Sequence, residues 1–144
     1  MPNYCHNTLI FNSDKDTILQ LKSDIINNDN MLSFEKLLPT PVELITKNIK
    51  SNDELLILEQ KYGYDNWYNW RIANWGTKWD AIDSVINFED QNNINISFDT
   101  AWCPPMNWLF YTIEKYNKLN ATIKFIDEMG GLIGLYKIEN GETV

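Results

Sequence analysis

The sequence predicts an α+β fold in which an antiparallel sheet, ordered on the split βαβ pattern, carries helices on one face. Three observations lead there. Residues 94–99 alternate apolar with polar side chains, as a strand buried on one side does. Ile18, Leu21 and Ile25 recur at helical spacing, and so do Leu109, Ile113 and Tyr116. The chain has 144 residues, and a chain of that size buries about 68–70% of its unfolded surface, enough for one core. A single domain over residues 1–144 is expected.

Residues 5–11 end in the apolar run Leu9, Ile10, Phe11 and break at Asn12 and Ser13, as an opening strand would. Ser13 and Asp16 have capping-box spacing, and the apolar period after them predicts a helix to about residue 26. The Asn- and Asp-rich residues 27–30 close it. Residues 33–38 suggest a short strand stopped by Pro39 and Pro41. Ser51 and Glu54 open a second helix that runs to Tyr62 and ends at Gly63. Residues 64–79 fit neither period and predict a short helix or turn followed by an aromatic loop. Residues 84–88 and 94–99 form a hairpin, and Pro104 and Pro105 open a helix whose buried face is Leu109, Ile113 and Tyr116. Residues 121–126 and 132–138 are two further strands joined around Gly130 and Gly131. With residues 33–81 set aside as a Trp-rich insertion between the first helix and the second strand, the order is that of a ferredoxin-like sheet.

Composition removes several function classes. Twelve basic against twenty acidic residues give a formal charge of -8 and a pI near 4.5, which opposes binding to a phosphate backbone. Cys5 and Cys103 are far apart and lie in no CxxC or Cys/His spacing, so neither a disulfide framework nor a zinc site is signalled. The N-terminal residues lack the apolar stretch of a secretory signal, and no run approaches the roughly 20 apolar residues of a membrane span. A soluble, cytoplasmic protein without membrane association is expected. The nineteen Asn are interleaved with periodic apolar positions, unlike a prion-like tract. Phosphate-loop, HExxH, GxSxG and EF-hand patterns are missing, so no cofactor and no metal are called for. The departure from average is aromatic: five of six Trp fall between Trp67 and Trp102.

Those aromatics sit in recognisable words. Asn3 to Leu9 reads NYCHNTL, followed by Pro39-Thr40-Pro41, Tyr62-Gly63, the run DNWYNW from Asp65, the run NWGTKWD from Asn74, and FDTAWCPP from Phe98. In these words and their order the chain resembles the YubB ferredoxin-like family over most of its length. The resemblance implies a ferredoxin-like fold and a phage, plasmid or bacterial mobile-element setting, and it hands over no catalytic residues. Position 4 departs from it, with Tyr4 where many relatives carry Trp.

The candidate binding surface comprises Trp70, Trp75, Lys78, Trp79, Asp80, Thr100 and Trp102. Trp supplies large area at low entropy cost and attracts cations to its face, so these residues could form an aromatic platform. The competing and stronger reading is that they cover the sheet and fix a segment short of regular structure. Lys78 with Asp80, Asp65 and Asp99 is the only set that could do acid/base chemistry, and an ion pair anchoring the insertion competes with it. His6 and Cys5 are strand neighbours pointing to opposite faces and cannot act together, whereas His6 with Cys103 stays geometrically open. The favoured function is a non-enzymatic binding or interaction module, with a protein or small ligand as partner. Two alternatives stand beside it: an acidic nucleic-acid mimic that inhibits a host defence nuclease, and a small enzyme using a Lys/Asp pair in a Trp-lined pocket. Oligomeric state is not encoded in any of these features.

Overall fold

A computed structural model describes residues 3–144. The first strand, β1 (Tyr4–Asn12), is followed by α1 (Lys15–Ile25). Four helices come next: α2 (Phe34–Leu37), α3 (Val42–Ile45), α4 (Asn52–Tyr62) and α5 (Trp67–Asn74). The hairpin β2 (Ile82–Glu89) and β3 (Asn93–Ala101) leads into α6 (Met106–Lys115). β4 (Asn120–Asp127), β5 (Ile133–Glu139) and a two-residue β6 (Glu142–Thr143) complete the chain. The sheet order is β2-β3-β1-β4-β5-β6 and every pairing is antiparallel. β1 thus lies between β3 and β4, the arrangement that the split βαβ order requires.

Side-chain parity divides the sheet. Leu9 stands opposite both Ile96 and Ile123, and all three are fully buried under the helices. Ile18, Leu21 and Ile25 of α1 and Trp108, Leu109 and Ile113 of α6 supply the other layer of that core. Phe34, Leu37, Leu44, Leu58, Trp70 and Trp75, from the segment between α1 and β2, join the same apolar cluster. The intervening residues of β1, among them His6 and Thr8, face the other way, where no described helix covers them.

Two expectations require correction. Residues 33–38 are not a strand: Ser33 caps α2 by accepting from the Lys36 amide, and Phe34 and Leu37 turn inward at helical spacing. At the start of α1 the cap is Asp14, whose carboxylate accepts from the Thr17 amide at 2.8 Å, while Ser13 donates its hydroxyl to the Lys118 carbonyl. The Ser51 cap of α4 and its left-handed end at Gly63, φ +82, fall where the sequence puts them.

Candidate functional site

The Trp-rich segment and the exit of β3 dock through their backbones. Trp75 is fully buried, and its carbonyl accepts from the Trp108 amide at 3.1 Å. Gly76 follows at φ +90, where an added Cβ would come within 3.2 Å of the Met106 nitrogen. Only glycine takes that turn at that distance without displacing the backbone of α6. Thr77 donates its hydroxyl to the Ala101 carbonyl at 2.8 Å, and the Cys103 thiol reaches the Gly76 carbonyl at 2.9 Å. On the other side Thr100, fully buried, donates to the Cys103 carbonyl and accepts from the Asn7 side-chain amide at 2.9 Å. Burial pushes the Cys103 thiol up from its ordinary value, and burial, then the neighbouring Cys103, pushes Cys5 up to about 11. Both groups are therefore neutral thiols at neutral pH and poor nucleophiles.

A second knot explains Pro39-Thr40-Pro41. The Arg71 guanidinium lies 4.9 Å from the ring centres of both Trp67 and Trp75. Its Nε donates to the Thr40 hydroxyl at 3.0 Å, and another of its nitrogens donates to the Lys78 carbonyl. Glu35 accepts from the Thr40 amide and hydroxyl, each at 2.8 Å. Arginine here is an internal brace, stacked and hydrogen-bonded to its own chain.

The seven candidate residues separate accordingly. Trp70, Trp75 and Thr100 are buried and make no surface. The Asp80 carboxylate accepts from the Phe34 amide at 2.6 Å, the Glu35 amide at 3.3 Å, the Ser33 hydroxyl at 2.9 Å and the Ala81 amide at 2.8 Å. It holds the start of α2, and both of its oxygens are engaged by the protein's own donors. Lys78 lies instead over the Trp79 ring, 4.6 Å from its centre. Asp65 accepts from the Asn66 side chain, and Asp99 is bonded to His6 on the uncovered face of the sheet. The four charged residues considered for acid/base chemistry are thus dispersed. Among the candidates only Trp102 is well exposed, at 52%, in a left-handed conformation with φ +70.

A concave and largely apolar feature lies elsewhere. Across the uncovered sheet face runs a groove of about 590 Å³. Its rows follow the strand register: Asp99 opposite His6 and then Ile126 and Ile133; Ser97 opposite Thr8 and then Lys124 and Leu135. Ile133 is 72% exposed and Leu135 64%, high values for aliphatic side chains on a sheet. At the centre His6 Nδ1 is 2.6 Å from Asp99 Oδ1. A carboxylate only accepts, so Nδ1 carries the hydrogen and Nε2 remains free for a ligand. Parity puts His6 on the face opposite buried Cys5 and brings it to Asp99. The sequence held one pointer to this groove: apolar side chains at both parities of β5, where a one-sided strand would alternate.

Among the described residues no three His, Cys, Asp or Glu side chains converge as metal ligands. No described helix is long and apolar enough to cross a membrane.

Comparison with known proteins adds the following. The family model described as a ferredoxin-like domain in Api92-like protein matches residues 74–144. No curated protein matches the chain in sequence. The crystal structure of a protein api92 from Yersinia pseudotuberculosis superposes with a TM-score of 0.65 at 6% sequence identity, covering 100% of this chain and 96% of that one. At that identity the likeness is one of fold. Residues 74–144 are thus similar to the ferredoxin-like domain of Api92-like proteins, and the whole chain shares its fold with the Yersinia protein.

Proposed function

We propose that this chain is a non-enzymatic binding module whose contact surface is the uncovered sheet face rather than the Trp-rich segment. The observation that carries the reading is the groove of about 590 Å³. It falls within the roughly 300–1,000 Å³ of small-molecule sites, and its exposed aliphatic floor converges on His6, Lys124 and Asp99. The same surface gives the partner class: a small ligand, held by apolar contact and oriented by a few polar groups.

Residues 33–81 then act as an insertion that buttresses one domain, and the chain works in the cytoplasm. Resemblance to the YubB ferredoxin-like family supports a phage- or plasmid-borne setting. The enzyme alternative loses its acid/base pair to the saturation of Asp80. For the nucleic-acid-mimic alternative, Asp14, Asp90 and Asp127 keep their charge but are oriented by amides of the fold, at the start of α1, in the β2–β3 turn and against Met129 and Gly131.

The test is a fragment screen on nitrogen-15-labelled protein, using aromatic fragments that are cationic, neutral and anionic. Amide shifts are expected to cluster at Thr8, Ser97, Lys124 and Leu135 and to vanish in Leu135→Lys. Shifts centred on Trp79 and Trp102, or none on the sheet, would refute the reading.

A further inference from the structure

The distribution of charge along the groove sets which ligand it takes. One end is acidic. β2 and β3 lose register between Ile82 and Val85, and there Asp83, in a left-handed conformation at φ +51, lines the groove beside Asp99. An irregularity of this kind re-aims a side chain. Among the described residues Asp83 has no hydrogen-bonded partner, and Asp99 is engaged through Oδ1 only, leaving Oδ2 free. The other end, on β4 and β5, is aliphatic: Ile126, Ile133 and Leu135, with Lys124 opposite Leu135.

An amphipathic anion fits this layout poorly. Its charge would seek Lys124 and its apolar body would seek the same end, leaving the carboxylates of Asp83 and Asp99 facing a repelled or apolar group. A cation fits it throughout. Its charge meets two carboxylates, and its body lies over Ile126, Ile133 and Leu135. Lys124 penalises the reversed orientation while its alkyl stem extends the apolar floor. The formal charge of -8 favours the approach of cations over anions.

We infer that the groove binds a small organic ammonium compound with an apolar body, its cation held by Asp83 and Asp99 and its body by Ile126, Ile133 and Leu135. Asp99 on β3 and Leu135 on β5 are three strand spacings apart, so the ligand extends up to about 14 Å. His6 holds Asp99 through Nδ1 and thereby fixes the carboxylate that faces the ammonium.

This inference rests on the binding-module reading, and three isosteres separate the two: 4-phenylbutylamine, 4-phenylbutanol and 4-phenylbutyrate. Each is titrated by calorimetry, with amide shifts locating the contact. The amine is expected to bind on the sheet face about tenfold more tightly than the alcohol, with the carboxylate weaker still. Asp83→Asn and Asp99→Asn should each weaken the amine about five- to tenfold and leave the alcohol unchanged. Asp83 is exposed and Asn tolerates its backbone conformation, so Asp83→Asn keeps the test available if Asp99→Asn disturbs the sheet. Equal or tighter sheet-face binding of the alcohol or carboxylate overturns the cation preference but retains the groove. An amine affinity unchanged in both Asn variants overturns it equally. Silence of all three probes at the sheet-face amides overturns both.

Discussion

Asp80→Ala tests whether the carboxylate that closes the NWGTKWD run is framework or site. Asp80 reaches across 46 residues to Phe34 and 47 to Ser33, tying the start of α2 to the entrance of β2. The alanine variant strips the acceptor from the Phe34 amide at 2.6 Å, from the Ser33 hydroxyl at 2.9 Å and from its own neighbour Ala81 at 2.8 Å. The Glu35 contact, at 3.3 Å, adds little. Hydrogen bonds to a charged group contribute about 1.5–3 kcal/mol each, and half-burial places these three at the lower end, so about 4–5 kcal/mol is expected for the set. That is a large share of a total near 5–15 kcal/mol, and it lowers the melting temperature by about 10–15 °C. Asp80→Asn keeps one acceptor oxygen and the shape, and should lose about 1–2 kcal/mol. Urea unfolding followed by circular dichroism gives both values, with tryptophan fluorescence, to which buried Trp75 and Trp108 contribute, as an independent probe. An alanine variant within about 1 kcal/mol of the parent would refute the bracing role and return Asp80 to the list of reactive groups.

Two further outcomes check the same framework. Trp75 meets Phe34 and Trp70 edge-on at 5.8 and 6.2 Å and donates its indole hydrogen to the Leu38 carbonyl, so Trp75→Ala should cost about 4–5 kcal/mol. Trp102→Ala, at a half-exposed position, should cost under about 1 kcal/mol, and denaturant midpoints that rank the two the other way would contradict the packing described for the β3 exit. Cys5 tests the electrostatics of that corner. Its thiol is raised from 9.0 to about 11 in the folded chain, by burial and then by Cys103, so the fold binds this proton more tightly than the unfolded chain does. The resulting stability is fully present below pH 9.0 and is lost as the pH rises towards about 11, by at most roughly 3 kcal/mol. Tyr116, raised by burial and by its hydrogen bond to Asp24, adds a loss of the same sign at higher pH. Cys5→Ala should flatten the decline between these limits, and superimposable pH profiles for parent and variant would show that the buried thiol is not its source.

What could be read in advance followed from local chemistry. The alternation of Ile94, Ile96 and Phe98 with Asn95, Ser97 and Asp99 gave the covered and uncovered faces of β3 directly. Caps made within three residues, such as Ser51 with Glu54, were equally visible. The stretch at 33–38, a helix where a strand is expected, carries Phe34, Leu37 and Leu38 at spacings that suit a turn of helix, yet two of its amides are satisfied by Asp80, far along the chain. Trp gave no direction because an indole fits a core and a platform alike. Trp75 is inside because the backbone of α6 closes over Gly76. The sheet-face groove was hidden for the same reason: His6 and Asp99 are 93 residues apart, and only the pairing of β1 with β3 brings them together.

The docking of residues 75–77 onto the exit of β3 also separates what can change from what cannot. The hydrogen bonds described for that joint run between backbone atoms, the hydroxyls of Thr77 and Thr100, the Cys103 thiol and the core, and none reaches the open row of Thr8, Ser97, Lys124 and Leu135. That row can therefore be rewritten position by position while the interior keeps its packing. A library diversified at Thr8, Ser97, Lys124, Ile133 and Leu135 would keep the parent's melting behaviour while its specificity drifts, making the chain a display scaffold with its recognition alphabet on one side of a sheet. Two chains that share the Trp words and differ along that row would then be the same architecture addressed to different ligands.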